Sequence, residues 1–276
     1  MQGEKEAKDV HYEVGKKVRR AIADIGGMMP EEMPTPKKSL KELERERKQL
    51  ENKEQNKLEE AKYMSDRIQK CPFCNIDKTK LANTILDETK YFYTTPSLGS
   101  LTDGYILITT KRHVNSMSEL TIEEMEEYKI LIKKYREVFK KVYQKYPIVF
   151  EHGTPNLKDS INASSVIHAH THVVNHNYKN ENILIEKLKF KRIDKLENML
   201  SNKNYIFYIS PKNEIYITNE FEPISQLMRI EIAKDLDLVN KYDWRKNDFN
   251  DNIILTISKL NDYFDNIENK GSDKNE

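Results

Sequence analysis

The segment Ile167-His168-Ala169-His170-Thr171-His172-Val173-Val174 decides how this chain is read. Histidine alternates three times with a small or β-branched residue, and two valines end the run. In an extended strand, successive side chains point to opposite faces. His168, His170 and His172 are therefore expected on one face, with Ala169, Thr171 and Val173 packed on the other. Three imidazoles in a row are poor core formers, because each buried ring needs hydrogen-bond partners. The pattern points to a functional face, either a three-histidine metal site or imidazoles acting on a ligand. Five of the seven histidines fall between His152 and His176, which concentrates this chemistry in one stretch.

Working outward, aromatic and β-branched runs read as strands: Tyr91–Thr95, Tyr105–Thr110, Ile148–His152, Val166–Asn175, Tyr205–Ile209 and Glu214–Thr218. Between the second and third, Thr121 to Tyr146 carries apolar residues at helical spacing (Met125, Tyr128, Ile132, Tyr135, Phe139, Val142). Glu123 and Glu124 in its first turn and Lys140 and Lys141 late in it suit the helix dipole. Further helices are expected at Ile183–Asn202, Ile224–Tyr242 and Asp251–Ile267, with a polar tail after them. A run of strands broken by one long helix implies an α+β fold with an antiparallel sheet.

Ahead of Cys71 the composition differs. A short amphipathic helix, Tyr12 to Ile25, stops at Gly26-Gly27, and Pro30, Pro34 and Pro36 interrupt regular structure beyond it. A charged helix then runs from Ser39 to Gln69, with Ser39 and Glu42 spaced as a capping box. Its apolar residues (Leu40, Leu43, Leu50, Leu58, Met64) are sparse, which suits a solvated linker or a dimerising coiled coil. The expected division is 1–38, a helix and proline-rich segment; 39–69, a helical linker; 70–180, the domain bearing the histidines; 181–268, an extension packed on it; and 269–276, a disordered tail.

Of 276 residues, 33% are charged and 37% hydrophobic, and the formal charge is +1. Near-neutrality gives no global attraction for polyanions, so a phosphate-bearing partner has to be met by a local site. No apolar run is long enough for a transmembrane helix, and MQGEKEAKDV lacks the core of a secretion signal. The expected location is cytoplasmic, with no membrane partner. Two cysteines, Cys71 and Cys74, exclude a disulfide framework and leave a metal half-site, a redox pair or two ordinary thiols.

The His-x-His-x-His run ending in two apolar residues, with Gly104-Tyr105-Ile106-Leu107-Ile108, Lys111-Arg112-His113-Val114 and Ser116-Met117-Ser118-Glu119-Leu120 ahead of it, resembles the histidine triad (HIT) family of nucleotide hydrolases and transferases. The resemblance covers about residues 71 to 176. It implies a HIT-like antiparallel sheet with a long helix packed on it, here preceded by an extended helical segment and continued by C-terminal helices. It also implies attack by His170 on the α-phosphorus of a nucleotide, with His172 and Ser165 contacting phosphate or leaving-group oxygen. Candidate substrates are a dinucleoside polyphosphate, a phosphoramidate or an adenylylated adduct. One branch of the family, like the related hexose-1-phosphate uridylyltransferases, has a structural zinc site; its counterparts here are Cys71, Cys74, His113 and His168. Homodimerisation is a further implication.

The chain departs from the family pattern in several places. Tyr105 stands where many small members have histidine, and Tyr91-Phe92-Tyr93-Thr94-Thr95-Pro96 lacks the acid that usually binds ribose. Ser164 replaces a glutamine, and the loop from Gly153 to Asn162 is long. His152, Asn162, Ser164 and Arg229 are the remaining candidate phosphate contacts, with Asn156 and Lys158 behind them. Arg245 could also face phosphate, and Trp244 is expected in the core. Separately, His11 to Glu44 resembles the tail of DNA-damage-inducible protein D, which suggests a modular fusion without catalytic residues. Two other functions are therefore kept beside the enzyme. One is a non-catalytic nucleotide sensor or adaptor that recruits a protein partner through the N-terminal helices. The other is a DNA-end deadenylase, which near-neutral charge and the lack of a separate zinc finger disfavour.

Overall fold

The computed structural model describes residues 2–33, 38–155, 166–199, 203–222 and 224–272. The chain divides into two units, Met1–Tyr63 and Met64–Glu276. In the first, α1 spans Gln2–Asp24 and starts well before Tyr12, because the charged residues ahead of it are good helix formers even without an apolar stripe. It ends as its glycines require. Gly26 takes φ 68°, Gly27 N–H donates to Ile22 O at 2.8 Å and Gly26 N–H to Ala23 O at 3.0 Å, the pairing of a Schellman stop. Helix α2 spans Leu40–Lys70. Its N-terminus is closed reciprocally: Glu42 N–H donates to Ser39 Oγ at 3.3 Å and Ser39 N–H to Glu42 Oε2 at 2.8 Å.

The second unit is built on an antiparallel sheet with, among the described residues, eight strands: β1 Asp87–Glu88, β2 Phe92–Pro96, β3 Tyr105–Thr110, β4 Ile148–Gly153, β5 His170–Val174, β6 Lys191–Ile193, β7 Tyr205–Ile209 and β8 Ile215–Thr218. Their order is β1-β2-β3-β5-β4-β7-β8-β6. The strand that carries the histidines is thus internal, between β3 and β4. Strands β7, β8 and β6 extend the same sheet, so the segment after residue 181 supplies strands as well as helices.

Alternation gives the sheet two unlike faces. On one, Phe92, Ile106, Ile108, Val149, Val173 and Phe207 pack under α3, Ile122–Tyr143. Thr121 and Glu124 form the capping box of α3, and Met125, Tyr128, Ile132, Tyr135 and Phe139 are its buried stripe. Helix α6, Asn250–Ser272, adds Leu260 to this layer. The opposite face presents Leu107, Phe150, Val174, Ile206 and Tyr208 to α4, Glu181–Lys187, and α5, Leu227–Asp235. His170 and His172 belong to this second face, so the C-terminal segment covers the side on which the imidazoles stand.

Three sequence expectations are corrected. Ile183–Asn202 is not one helix: α4 ends at Lys187, Lys189 turns through φ 52°, and β6 and a 3-10 turn at Leu196–Met199 come next. Burial of Leu188 and Phe190 against the second face overrides helical propensity there. The helix expected over Ile224–Tyr242 is only α5; it stops at Asp237, φ 59°, where Leu238 N–H donates back to Ala233 O at 2.7 Å. The triad strand begins at His170, not Val166, because Ala169 N–H is taken by Val114 O at 2.7 Å and His168 is turned aside.

Candidate active site

Register places the catalytic candidates. His172 lies opposite Leu107 on β3 and Phe150 on β4, and His170 lies opposite Thr109. The His172 ring stacks on Phe150, with centroids 4.5 Å apart and planes 9° apart, and its Nδ1 meets the Tyr105 hydroxyl at 2.9 Å. His170 Nδ1 lies 2.6 Å from the carbonyl oxygen of His168. A carbonyl can only accept, so Nδ1 carries the proton and Nε2 keeps its lone pair. Burial pulls the pKa of His170 below the ordinary range. His172 is held well below it by burial and then by His170, Arg229 and His152. Both rings are neutral near pH 7, the state in which imidazole is a nucleophile.

His152 stands on β4 on the same face. Burial first, then the neighbouring His170, pushes its pKa down to about 4, and its Nε2 has no hydrogen-bond partner among the described residues. Ser165, Ser164 and Asn162, with Asn156 and Lys158, lie outside the described residues.

His168, first of the alternating imidazoles, belongs to a different constellation. It is 1% exposed, and its Nε2 donates to Thr110 O at 2.7 Å. That bond leaves the Nδ1 lone pair facing the thiols, 3.3 Å from Cys71 Sγ and 3.5 Å from Cys74 Sγ. Cys74 Sγ is also 3.2 Å from His113 Nδ1, and the four donor atoms lie within 4.8 Å of one another. Burial and then Cys71 push the Cys74 thiol up to about 12, so a cation bound there would have to draw the proton off Cys74. Two sulfurs and two imidazole nitrogens turned inward at this spacing could hold a metal ion. The loop between the cysteines is fixed by Tyr93, whose hydroxyl donates to Phe73 O at 2.8 Å. Phe73 lies against the His170 ring, centroids 5.1 Å apart.

His170 and His172 open onto a cleft. Pro72 and Phe73 line one side, Thr95, Ser97 and Leu98 the rim after β2, and Gln226, Met228, Arg229 and Trp244 the side formed by the C-terminal segment. Trp244, expected in the core, is therefore part of the cleft wall. Its backbone packs on Gly99 so closely that a Cβ at Gly99 would come within 2.6 Å of Trp244 Cβ, and Gly99 has φ 68°; only glycine fits. Arg229 lines the cleft, whereas Arg245 pairs with Asp243 at 3.4 Å and lies over the Trp244 ring. Phe73 and Gln226 were given no role in the sequence reading. Phe73, placed between two cysteines, was the legible one.

Beneath the site, on the opposite face, Glu151 is buried. Its Oε1 accepts from Met117 N–H at 2.8 Å and its Oε2 from the Tyr205 hydroxyl at 2.6 Å. Burial outweighs these two bonds and raises its pKa to about 8. A carboxyl whose folded pKa exceeds its unfolded one stabilises in the protonated form. Its contribution is complete below about pH 4.5 and is lost as pH rises through about 8. Native protein is therefore expected to lose melting temperature between pH 5 and pH 9 more steeply than Glu151→Gln, as calorimetry at several pH values would show. Parallel profiles would remove the assignment.

Residues 1–43 match the family model described as the DinD C-terminal domain, and residues 58–194 match the model described as protein similar to CwfJ C-terminal. DNA damage-inducible protein D of Escherichia coli strain K12 is 45% identical over 53 residues, an alignment that takes in 19% of this chain and 19% of that protein. The resemblance of the front segment is borne out by these matches. Similar solved structures include a Hit-like protein involved in cell-cycle regulation from Bartonella henselae, with 15% identity over 33% of this chain and 63% of that one and a TM-score of 0.29. A member of the HIT family of proteins from Bacillus subtilis is 20% identical over 38% of this chain and 71% of that one, with a TM-score of 0.32.

Proposed function

We propose that the cleft binds a nucleotide and that His170 forms a transient covalent bond to its α-phosphorus, making the protein a nucleotidyl hydrolase or transferase. The observation that carries this reading is the bond from His170 Nδ1–H to the His168 carbonyl. It leaves Nε2 as the nucleophile of a half-buried, neutral ring on a cleft wall. Nε2 attacks phosphorus, a P–N bond forms, and the bond to the leaving group breaks with its electron pair going to that group. The ring then carries positive charge, which the His168 carbonyl dipole at 2.6 Å stabilises. Water or another acceptor attacks the same phosphorus from the vacated side. The P–N pair returns to Nε2, and the acceptor's proton is released. Zinc, the ion that suits a Cys2His2 donor set, would be held by Cys71, Cys74, His113 and His168 and would supply structural closure. Intact-mass measurement after mixing with dinucleoside polyphosphates, phosphoramidates and adenylylated adducts tests the reading. A mass gain of one nucleotide is expected, and turnover of any of them with no trace of adduct at any time point would oppose it.

Tyr105 has a positioning role in this scheme. Burial, opposed by the nearby Arg229, raises its pKa, so the hydroxyl stays protonated and donates to His172 Nδ1. The proton of His172 is thereby fixed on Nε2, where it can meet phosphate oxygen. Tyr105→Phe is expected to lower kcat about 10-fold, in line with one lost hydrogen bond of about 1.4 kcal/mol, with a smaller change in KM. The pH–rate profile should also shift, because His172 then samples both tautomers. An unchanged profile with a lower Tm would make Tyr105 merely structural.

A further inference from the structure

Among the described residues lining the cleft, one cation is not used by the chemistry above. Arg229 is 4% exposed and lines the cleft together with His170 and His172. Its Nε donates to Tyr242 O at 3.2 Å and its Nη2 to Gly99 O at 2.5 Å, while the guanidinium lies 5.4 Å from the Tyr105 ring centroid. No carboxylate of the described residues pairs with it, and none of the described residues lining the cleft is acidic. With the imidazoles neutral, Arg229 is the only formal charge among those lining residues. A desolvated charge without a counter-ion is costly, and carbonyl dipoles offset that cost only in part.

Arg136 shows what a purely structural arginine looks like in the same fold. It is similarly buried but does not line this cleft, and it places its nitrogens on Pro147 O, Ser210 O and Pro211 O. Arg229 instead lies in the opening turn of α5, whose N-cap residue, Gln226, makes no side-chain cap and also lines the cleft. A guanidinium and an uncapped helix start on one wall make a site for a phosphate oxygen.

We infer that the cleft takes a nucleotide bearing two phosphates, the α-phosphate at His170 and His172 and a second one at Arg229. This inference rests on the nucleotide reading above and narrows its substrate class. The second phosphate can belong to a 5′-polyphosphate chain or be a separate phosphate on the ribose; both present the same dianionic oxygens to the guanidinium. A 5′-monophosphate, or a phosphoramidate with an uncharged amine, accordingly fills only half the site.

Calorimetric titration of the full-length protein separates the possibilities. The probes are the 5′-monophosphates, 5′-diphosphates and 3′,5′-bisphosphates of adenosine, guanosine, cytidine and uridine, tested on native protein, Arg229→Lys and Arg229→Gln. At least one doubly phosphorylated nucleotide should bind 30-fold or more tighter than the 5′-monophosphate of the same base. Arg229→Gln should bring that ratio within threefold while leaving monophosphate affinity nearly unchanged, and Arg229→Lys should retain an intermediate ratio. The 5′-diphosphate and 3′,5′-bisphosphate arms tell which source supplies the second phosphate. Ratios within threefold in native protein would overturn the inference, as would an Arg229→Gln variant that loses affinity for every nucleotide equally with a lowered Tm. Formation of a His170-dependent nucleotide adduct despite flat ratios would sink this inference alone. No binding of any nucleotide and no adduct would sink the underlying reading with it.

Discussion

His170→Ala is expected to lower turnover by roughly 10⁶-fold, the scale seen when a covalent nucleophile is removed from a site whose other groups remain. The size of the effect reflects what the residue contributes. Among the described residues, its Nε2 is the only imidazole nitrogen on the cleft wall whose lone pair is set by a backbone acceptor, the His168 carbonyl at 2.6 Å. His172 cannot substitute, because its Nδ1 is engaged by Tyr105 at 2.9 Å and its ring is pinned on Phe150. The fold should survive the change, since His170 projects from the sheet into a cleft and not into the main core under α3. Nucleotide affinity should therefore persist while kcat collapses. Steady-state kinetics with parallel calorimetry reads both. A variant that keeps more than about a tenth of native kcat would make His170 a ligand contact only; one that binds normally while native protein itself shows no turnover would favour a nucleotide sensor.

The second large effect concerns the Cys71, Cys74, His113 and His168 cluster. Purified protein is expected to carry about one zinc per chain by elemental analysis. Chelation or Cys71→Ser should lower Tm by roughly 10–20 °C, as a loss of about 5 kcal/mol implies for a unit of this size. The physical reason is closure: Cys71 and His168 are far apart in sequence yet 3.3 Å apart in space, and the ion would cross-link the end of α2 to the residue that orients His170. Affinity should fall at lower pH, because the Cys74 thiol, raised to about 12 in the absence of a cation, has to release its proton on binding. Two thiols that react freely in the folded protein, with no metal retained and an unchanged Tm on chelation, would contradict the assignment.

Legibility in the sequence tracked the range of the interaction. Strands β3 and β7 were readable to both ends because their residues are buried throughout and rich in β-branched and aromatic side chains. Helix α3 was readable because its caps and its apolar stripe are local. His168 was misplaced onto the triad strand because the groups that turn it aside, the pair of thiols near residue 71, are remote in sequence and invisible to a period-of-two reading. Trp244 was read as core because a lone tryptophan usually is; only its packing on Gly99 brings it to the cleft. The helix expected at Ile183–Asn202 failed where Leu188 and Phe190 are drawn onto the sheet. The roles of Ser165, Ser164 and Asn162 rest on the family resemblance alone.

The most direct measurement is the stereochemical course at phosphorus, using an isotopically chiral α-phosphorothioate analogue of whichever substrate the mass panel identifies. Attack by His170 and then by the acceptor comprises two in-line displacements, so net retention of configuration is expected. Net inversion would mean a single displacement with no bond to imidazole, and would contradict the account at its centre.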